Sequence, residues 1–293
     1  MSSDKLFYKG LNKKVISVTV ISIIGTLSLV LIIPEMNVNS VSITNSITNS
    51  ITNSITHPTT NAGSINSVSA SEGKEEDNNI VPLDLIVSGG PPPDGIPSID
   101  DPKFISVHEA DKSLEDSELV LGLNIDGDVR AYPLQILVWH EIVNDKIGGV
   151  PVAVTYCPLC FTNQVFNRTM NDGQILEFGT SGKLYNSNLV MYDRTTKSLW
   201  SQAMAQGLVG KFAGVKLDRI PFDIAYWKEW KELYPDSKVL STDTGSTRPY
   251  GADPYGDYYT NGDVLFPVSN NDDRLGLKEI VVGFENSGSV QSL

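Results

Sequence analysis

From about residue 80 onward the chain alternates short apolar runs with turn residues, the pattern of a strand-rich domain. Residues 119–125 and 128–132 flank Asp126-Gly127, a pair that tolerates positive φ and predicts a two-residue hairpin. Pro133 then opens a helix where its missing N–H costs nothing, and Leu134, Leu137, Val138 and Val143 give that helix an apolar stripe ending near Gly148-Gly149. Strands are predicted at 150–156, 162–168, 174–179, 188–193 and 198–202, with Asn171-Asp172-Gly173 as a turn. A second helix is predicted over about 223–234: Asp223 caps it, Ile224, Trp227, Trp230 and Leu233 form its buried face, and Pro235 stops it. The expected fold class is α+β, a strand-rich single domain with two main helices. A repeated hairpin is also suggested. Leu119-Val120-Leu121-Gly122, followed by Gly127 and Val129, matches Ile280-Val281-Val282-Gly283, followed by Gly288 and Val290, at one constant offset.

The first 79 residues read differently. Residues 15–33 contain no charged side chain and, as a helix, are about long enough to cross the roughly 30 Å hydrocarbon core. Lys5, Lys9, Lys13 and Lys14 precede them, so the positive-inside bias keeps residues 1–14 in the cytoplasm and sends the rest outside. A cleaved signal peptide is the alternative, against which stand the length of the run and the lack of a small-x-small site directly after it. Residues 34–79 form a low-complexity Ser/Thr/Asn linker in which four tetrapeptides of the type Ser-Ile-Thr-Asn run in tandem from Ser42. One isolated Ile per repeat buries too little apolar area to offset chain entropy. Residues 80–293 are then an exported, membrane-anchored domain of ordinary size.

Charge narrows the partners. The chain has 22 basic and 35 acidic residues, a formal net charge of −13, and because the first 36 residues are net positive the acidic excess lies wholly after them. Nucleic acid is not expected as a partner, because its recognition needs a basic patch. The membrane, reached through the anchor, is the partner the sequence does indicate.

Candidate chemistry centres on the two cysteines, Cys157 and Cys160, set as Thr155-Tyr156-Cys157-Pro158-Leu159-Cys160 at the end of an apolar strand. With His140 at the end of the preceding helix they form a soft ligand set for copper or zinc. Met191 or Met204 would supply a thioether and His108 is a further candidate. A second reading is thiol–disulfide redox chemistry, since a bond closing so short a loop is a poor staple and a plausible exchangeable bond. Here the residues after Cys160 read as strand, so the usual helix N-terminus that activates a thiol is not expected. Nucleophilic catalysis by Cys157 with His140 as base, and a plain structural disulfide, are the remaining readings. Ser181, Tyr185 and Asn186, with Asp193-Arg194 beyond the next apolar run, offer a polar cradle for a ligand; a turn satisfied by its own side chains plus a local ion pair is the plainer alternative. Tyr250, Tyr255, Tyr258 and Tyr259 either dock a sugar or peptide or pin a long loop.

Several stretches together, residues 88–92, 130–137, 139–145, 149–160, 181–188, 190–194, 198–202 and 248–251, closely resemble the domain of unknown function 3179 family. The resemblance covers about residues 81–285. It implies an exported or lipoprotein-like prokaryotic domain whose activity is not established, and it supplies no mechanism. Family members typically continue past the second hairpin into another Ala-Tyr-Pro-Leu-like segment, so this copy looks shortened and the resemblance leaves its last strand pairing open.

Overall fold

The computed structural model describes residues 78–270, 272–286 and 289–292. The expected membrane span and all but the last two residues of the linker lie outside the described residues, and no described helix is long and apolar enough to cross a membrane. The α+β expectation holds at the level of class: strands dominate, and the helices are short.

In chain order the elements are β1 (Ile86–Ser88), β2 (Phe104–Ser106), α1 (Val107–Ala110), β3 (Leu119–Ile125), β4 (Asp128–Pro133), α2 (Leu134–His140), β5 (Ile142–Ile147), β6 (Val150–Cys157) and β7 (Thr162–Asn167). There follow β8 (Phe178–Tyr185), β9 (Asn188–Asp193), β10 (Leu199–Ser201), β11 (Gln206–Val209), β12 (Asp223–Tyr226), α3 (Trp227–Leu233), β13 (Lys238–Leu240), β14 (Gly283–Asn286) and β15 (Ser289–Ser292). They build two five-stranded sheets, ordered β1-β8-β9-β10-β11 and β12-β3-β4-β13-β2, a three-stranded sheet β5-β6-β7, and the separate hairpin β14-β15. Pairing is antiparallel except between β13 and β4.

The first helix is shorter than its apolar stripe suggests. It stops at His140 because Glu141 takes the left-handed conformation, φ 59° and ψ −29°, and turns the chain into β5. Val143, expected on the helix stripe, is instead buried in β5 opposite Val154. A run of apolar residues serves either period when a turn interrupts it. Gly148 and Gly149, at φ 52° and 87°, close the β5–β6 hairpin, a turn that needs positive φ at both positions. This hairpin sets Ile142 opposite Thr155, which brings the end of α2 beside the cysteine segment.

The second helix is also trimmed. Residues 223–226 pair with β3 as β12, and only Trp227 and Trp230 of the four expected face residues are buried, while Ile224 and Leu233 are exposed. Pairing with a sheet edge outweighs local helix preference at Asp223–Tyr226. The strand expected at 174–179 starts later, at Phe178, because Arg168 holds Leu176 in a tight loop through Nη1 to Leu176 O at 2.7 Å and its own carbonyl to Leu176 N at 2.9 Å.

The repeated hairpin is present only in outline. Gly122 lies in β3 against Trp230, where a Cβ would stand 1.9 Å from the indole, whereas a Cβ on Gly283 would meet nothing within 4 Å. Residues 280–282 are exposed and precede the strand β14, in contrast to the buried β3. The second glycine thus copies the register and not the packing.

Sheets are stitched by side chains as well as by backbone. Asn144 of β5 donates through Nδ2 to Phe178 O at 2.7 Å and accepts from Phe178 N at 3.0 Å, standing in for a strand partner of β8. Arg130 of β4 donates to both carboxylate oxygens of Asp145 on β5 at 2.7 Å, and Tyr132 Oη donates to the same group at 2.5 Å. Buried charges arranged this way satisfy one another.

Candidate functional site

Cys157 is the last residue of β6 and pairs with Thr162, the first of β7. Pro158, Leu159, Cys160 and Phe161 make the connection, with Cys160 N donating to Cys157 O at 3.4 Å and Phe161 in the left-handed region at φ 54°. The strand expected after the cysteines is therefore there, and no helix begins at them. Both cysteines are free thiols. Cys157 is buried in an apolar cluster that also contains Ile142, Phe166 and Met191, while Cys160 is exposed although densely surrounded by protein atoms.

Hydrogen bonds do at Cys160 what a helix terminus does elsewhere. Its Sγ receives Asn188 Nδ2 at 3.0 Å and lies 3.1 Å from Thr162 Oγ1, and the Cys157 thiol donates to it as well. Donors favour the ionised form, so the Cys157 hydrogen bond, aided by Thr162 and Asn188, lowers the Cys160 thiol below the ordinary value in spite of its crowded setting. Burial, together with its bond to Cys160, pushes Cys157 the other way. The two directions set the pair apart, Cys160 toward the thiolate and Cys157 toward the thiol.

Glu141 adds a third titratable group. It is 7% exposed, its backbone carbonyl accepts Tyr156 N at 2.8 Å, and its carboxyl is raised to about 8 by burial and by the neighbouring Cys160 charge, opposed by a hydrogen bond from Tyr255. Near neutrality this favours its protonated form. A non-glycine residue in a left-handed conformation with a buried carboxyl is costly on both counts.

His140 is fully buried and occupied elsewhere. Its Nδ1 lies 2.7 Å from Pro97 O, which can only accept, so Nδ1 carries the hydrogen; Nε2, at 2.6 Å from Tyr250 Oη, then accepts that hydroxyl. Burial lowers its protonation range, which keeps the ring neutral. Neither nitrogen is left for a metal or for a proton from Cys157, and no group of three His, Cys, Asp or Glu side chains among the described residues has metal-holding geometry. The expected set of Cys157, Cys160, His140 and Met191 is thus only partly assembled: Met191 packs in the cluster with Cys157, and His140 faces Pro97 and Tyr250. His108 lies on α1, lining a cleft with Pro235 and Lys238, and Met204 follows β10 with 39% of its surface exposed.

The polar cradle is likewise dispersed. Ser181 sits in a bulge of β8 with its hydroxyl given to Val190 O, and Asn186 forms the β8–β9 turn and accepts Ser269 N at 2.8 Å. Tyr185 pairs with Asn188 at that turn, whereas Asp193 pairs with Phe178 at the far end of the same hairpin. Asp193 is buried and accepts Trp200 Nε1 at 3.0 Å; Arg194 joins Asp94, Asp100 and Glu177. Turn satisfaction and an ion-pair network account for four of these residues, and Tyr185 packs against the cluster of Val81, Val190 and Leu208.

The four tyrosines of residues 250–259 pin their loop over the site. Tyr250 reaches His140, Tyr255 bonds Glu141, Tyr258 donates to Leu159 O at 2.9 Å between the cysteines, and Tyr259 bonds Tyr156. Trp139 Nε1 holds the same loop through Ala252 O at 3.0 Å. Asn188, Thr162 and Glu141 complete the site without any chemical signature in the sequence: Glu141 and Asn188 fall inside the stretches shared with the family, and Thr162 lies just beyond one.

A family model described as a protein of unknown function, DUF3179, matches residues 93–292. No curated protein and no solved structure matches the chain.

Proposed function

This chain belongs to the DUF3179 family of proteins of unknown function, and we propose that it is a thiol–disulfide exchange domain in which Cys160 attacks and Cys157 resolves. The observation that supports this reading best is the asymmetry of the pair: Cys160 is an exposed residue whose sulfur is hydrogen-bonded to Asn188, Thr162 and the Cys157 thiol, and Cys157 is buried. Cys160 thiolate attacks one sulfur of a substrate disulfide, forming a mixed disulfide and releasing the first substrate sulfur as thiolate. The Cys157 thiol then gives its proton to the released substrate thiolate and attacks Cys160 Sγ, closing the Cys157–Cys160 bond and releasing the second substrate sulfur as thiolate. Two electrons pass from the pair to the substrate, and the reverse sequence oxidises a dithiol. In this reading the charge-free run at 15–33 anchors the domain outside the cytoplasm, where disulfide substrates abound.

The test is site-resolved alkylation. Reduced full-length protein is treated with iodoacetamide across pH 5 to 9 and the modified peptides are quantified by mass. Cys160 is expected to react with a midpoint well below the roughly 8.5 of a free thiol, and Cys157 to stay unmodified until the protein is unfolded. A Cys160 midpoint at the free-thiol value, or faster reaction at Cys157, overturns the assignment.

A further inference from the structure

Behind Asn188 runs a chain of hydrogen bonds whose direction is fixed at its ends by the backbone. Asn188 Oδ1 accepts Ala203 N at 3.0 Å, and a backbone N–H can only donate, so the amide is oriented with Nδ2 toward the sulfur. One Nδ2 hydrogen goes to Cys160 Sγ and the other to Gln202 Oε1, each at 3.0 Å. Gln202 is oriented from the opposite side. Its Nε2 donates to Thr162 O at 3.0 Å and to Thr155 Oγ1 at 2.9 Å, while Thr155 spends its own hydrogen on Gln164 O at 2.8 Å. Every donor and acceptor in this run is spoken for, and reversing either amide would set like against like at a backbone group. Gln202 and Thr155 are 0% exposed and Asn188 is 6% exposed, so water does not relax the arrangement.

Resting on the thiol-exchange reading, we propose that Gln202 is the positioning residue of this site: it does not touch the sulfur, but by accepting one Asn188 hydrogen it holds the other on Cys160 and so selects the thiolate. The network spans three strands, since Thr155 lies in β6, Asn188 in β9 and the Gln164 carbonyl in β7, with Gln202 directly after β10. It therefore ties the ionisation of the sulfur to the seating of the β5-β6-β7 sheet against the β1-β8-β9-β10-β11 sheet. A buried glutamine fully used in orienting an amide toward a sulfur goes beyond what packing asks of the position.

The experiment uses the reduced full chain and the pH midpoint of Cys160 alkylation in a double-mutant cycle of Asn188→Ala and Gln202→Met, the latter keeping length and volume without hydrogen bonds. Asn188→Ala is expected to raise the midpoint by about one pH unit, and Gln202→Met by about half a unit. In the Asn188→Ala background Gln202→Met is expected to add nothing, because its action runs through the amide. If Gln202→Met does not fold, Thr155→Val, which removes the hydroxyl accepting Gln202 Nε2, is expected to give a smaller rise that is also absent in the Asn188→Ala background. An unchanged midpoint in the folded Gln202 variant, or an equal shift with and without Asn188, overturns the inference. A parent midpoint at the free-thiol value instead defeats the exchange reading itself, so the two failures are distinct.

Discussion

Asn188 Nδ2 stands 3.0 Å from Cys160 Sγ although 28 positions separate the two residues in the chain. The β8–β9 turn delivers the amide to the β6–β7 turn, and two hairpin ends thereby build one sulfur environment. A thiol at a helix N-terminus borrows its stabilisation from backbone dipoles; here side chains from separate strands supply it, so the site depends on tertiary packing.

Glu141 ties stability to pH. Its folded-state value of about 8 lies above the ordinary 4.5, so the contribution of the protonated group is fully present below 4.5 and is lost as pH rises toward 8. The loss is on the order of a few kcal/mol. Cys160 runs the opposite way, its lowered value adding stability as pH rises toward the free-thiol range. The difference between parent and Glu141→Gln isolates the carboxyl: urea unfolding at pH 5 and pH 8 should show the variant gaining on the parent at pH 8. Equal differences at both values would show that Glu141 is ionised in the folded protein.

The latch at His140 is testable through its hydroxyl partner. Tyr250→Phe removes the donor to Nε2 and leaves a buried ring nitrogen unpaired, a cost of about 1 to 3 kcal/mol. Loss of stability should be accompanied by faster proteolysis between residues 244 and 259, which that bond holds against α2. A change of less than about 0.5 kcal/mol would mean that Nε2 has another donor.

Gly122 and Gly283 provide a matched pair. Gly122→Ala places a Cβ inside the Trp230 ring and should destabilise by about 3 kcal/mol in denaturant unfolding. Gly283→Ala meets open space and should stay within about 0.5 kcal/mol of the parent. Equal effects would mean that the two hairpins pack alike.

Local chemistry was legible in the chain and long-range chemistry was not. Asp126-Gly127 announced its hairpin because the turn makes its demand on the two residues themselves. The strand after Cys160 was legible for the same reason. Residues 141–147 were not: their apolar pattern suits a helix, and only Glu141's left-handed backbone, held by pairing with β6, makes them β5. His140 looked like a ligand because a histidine near two cysteines in sequence has that chemistry, whereas its partners, Pro97 and Tyr250, lie 43 and 110 positions away. The four tyrosines gave no sign of covering the cysteine turn, since nothing local ties residues 250–259 to it.

In the proposed function Cys157 and Cys160 exchange reversibly between dithiol and disulfide. The most direct measurement equilibrates the full-length protein in glutathione buffers spanning reducing to oxidising ratios, quenches with acid, and counts alkylatable thiols per chain by mass. One reversible two-electron transition is expected, in which both thiols disappear together, absent in Cys157→Ser and in Cys160→Ser. Thiols that stay free across the whole range, or a Cys160 that stops at a glutathione adduct without closing on Cys157, would contradict it.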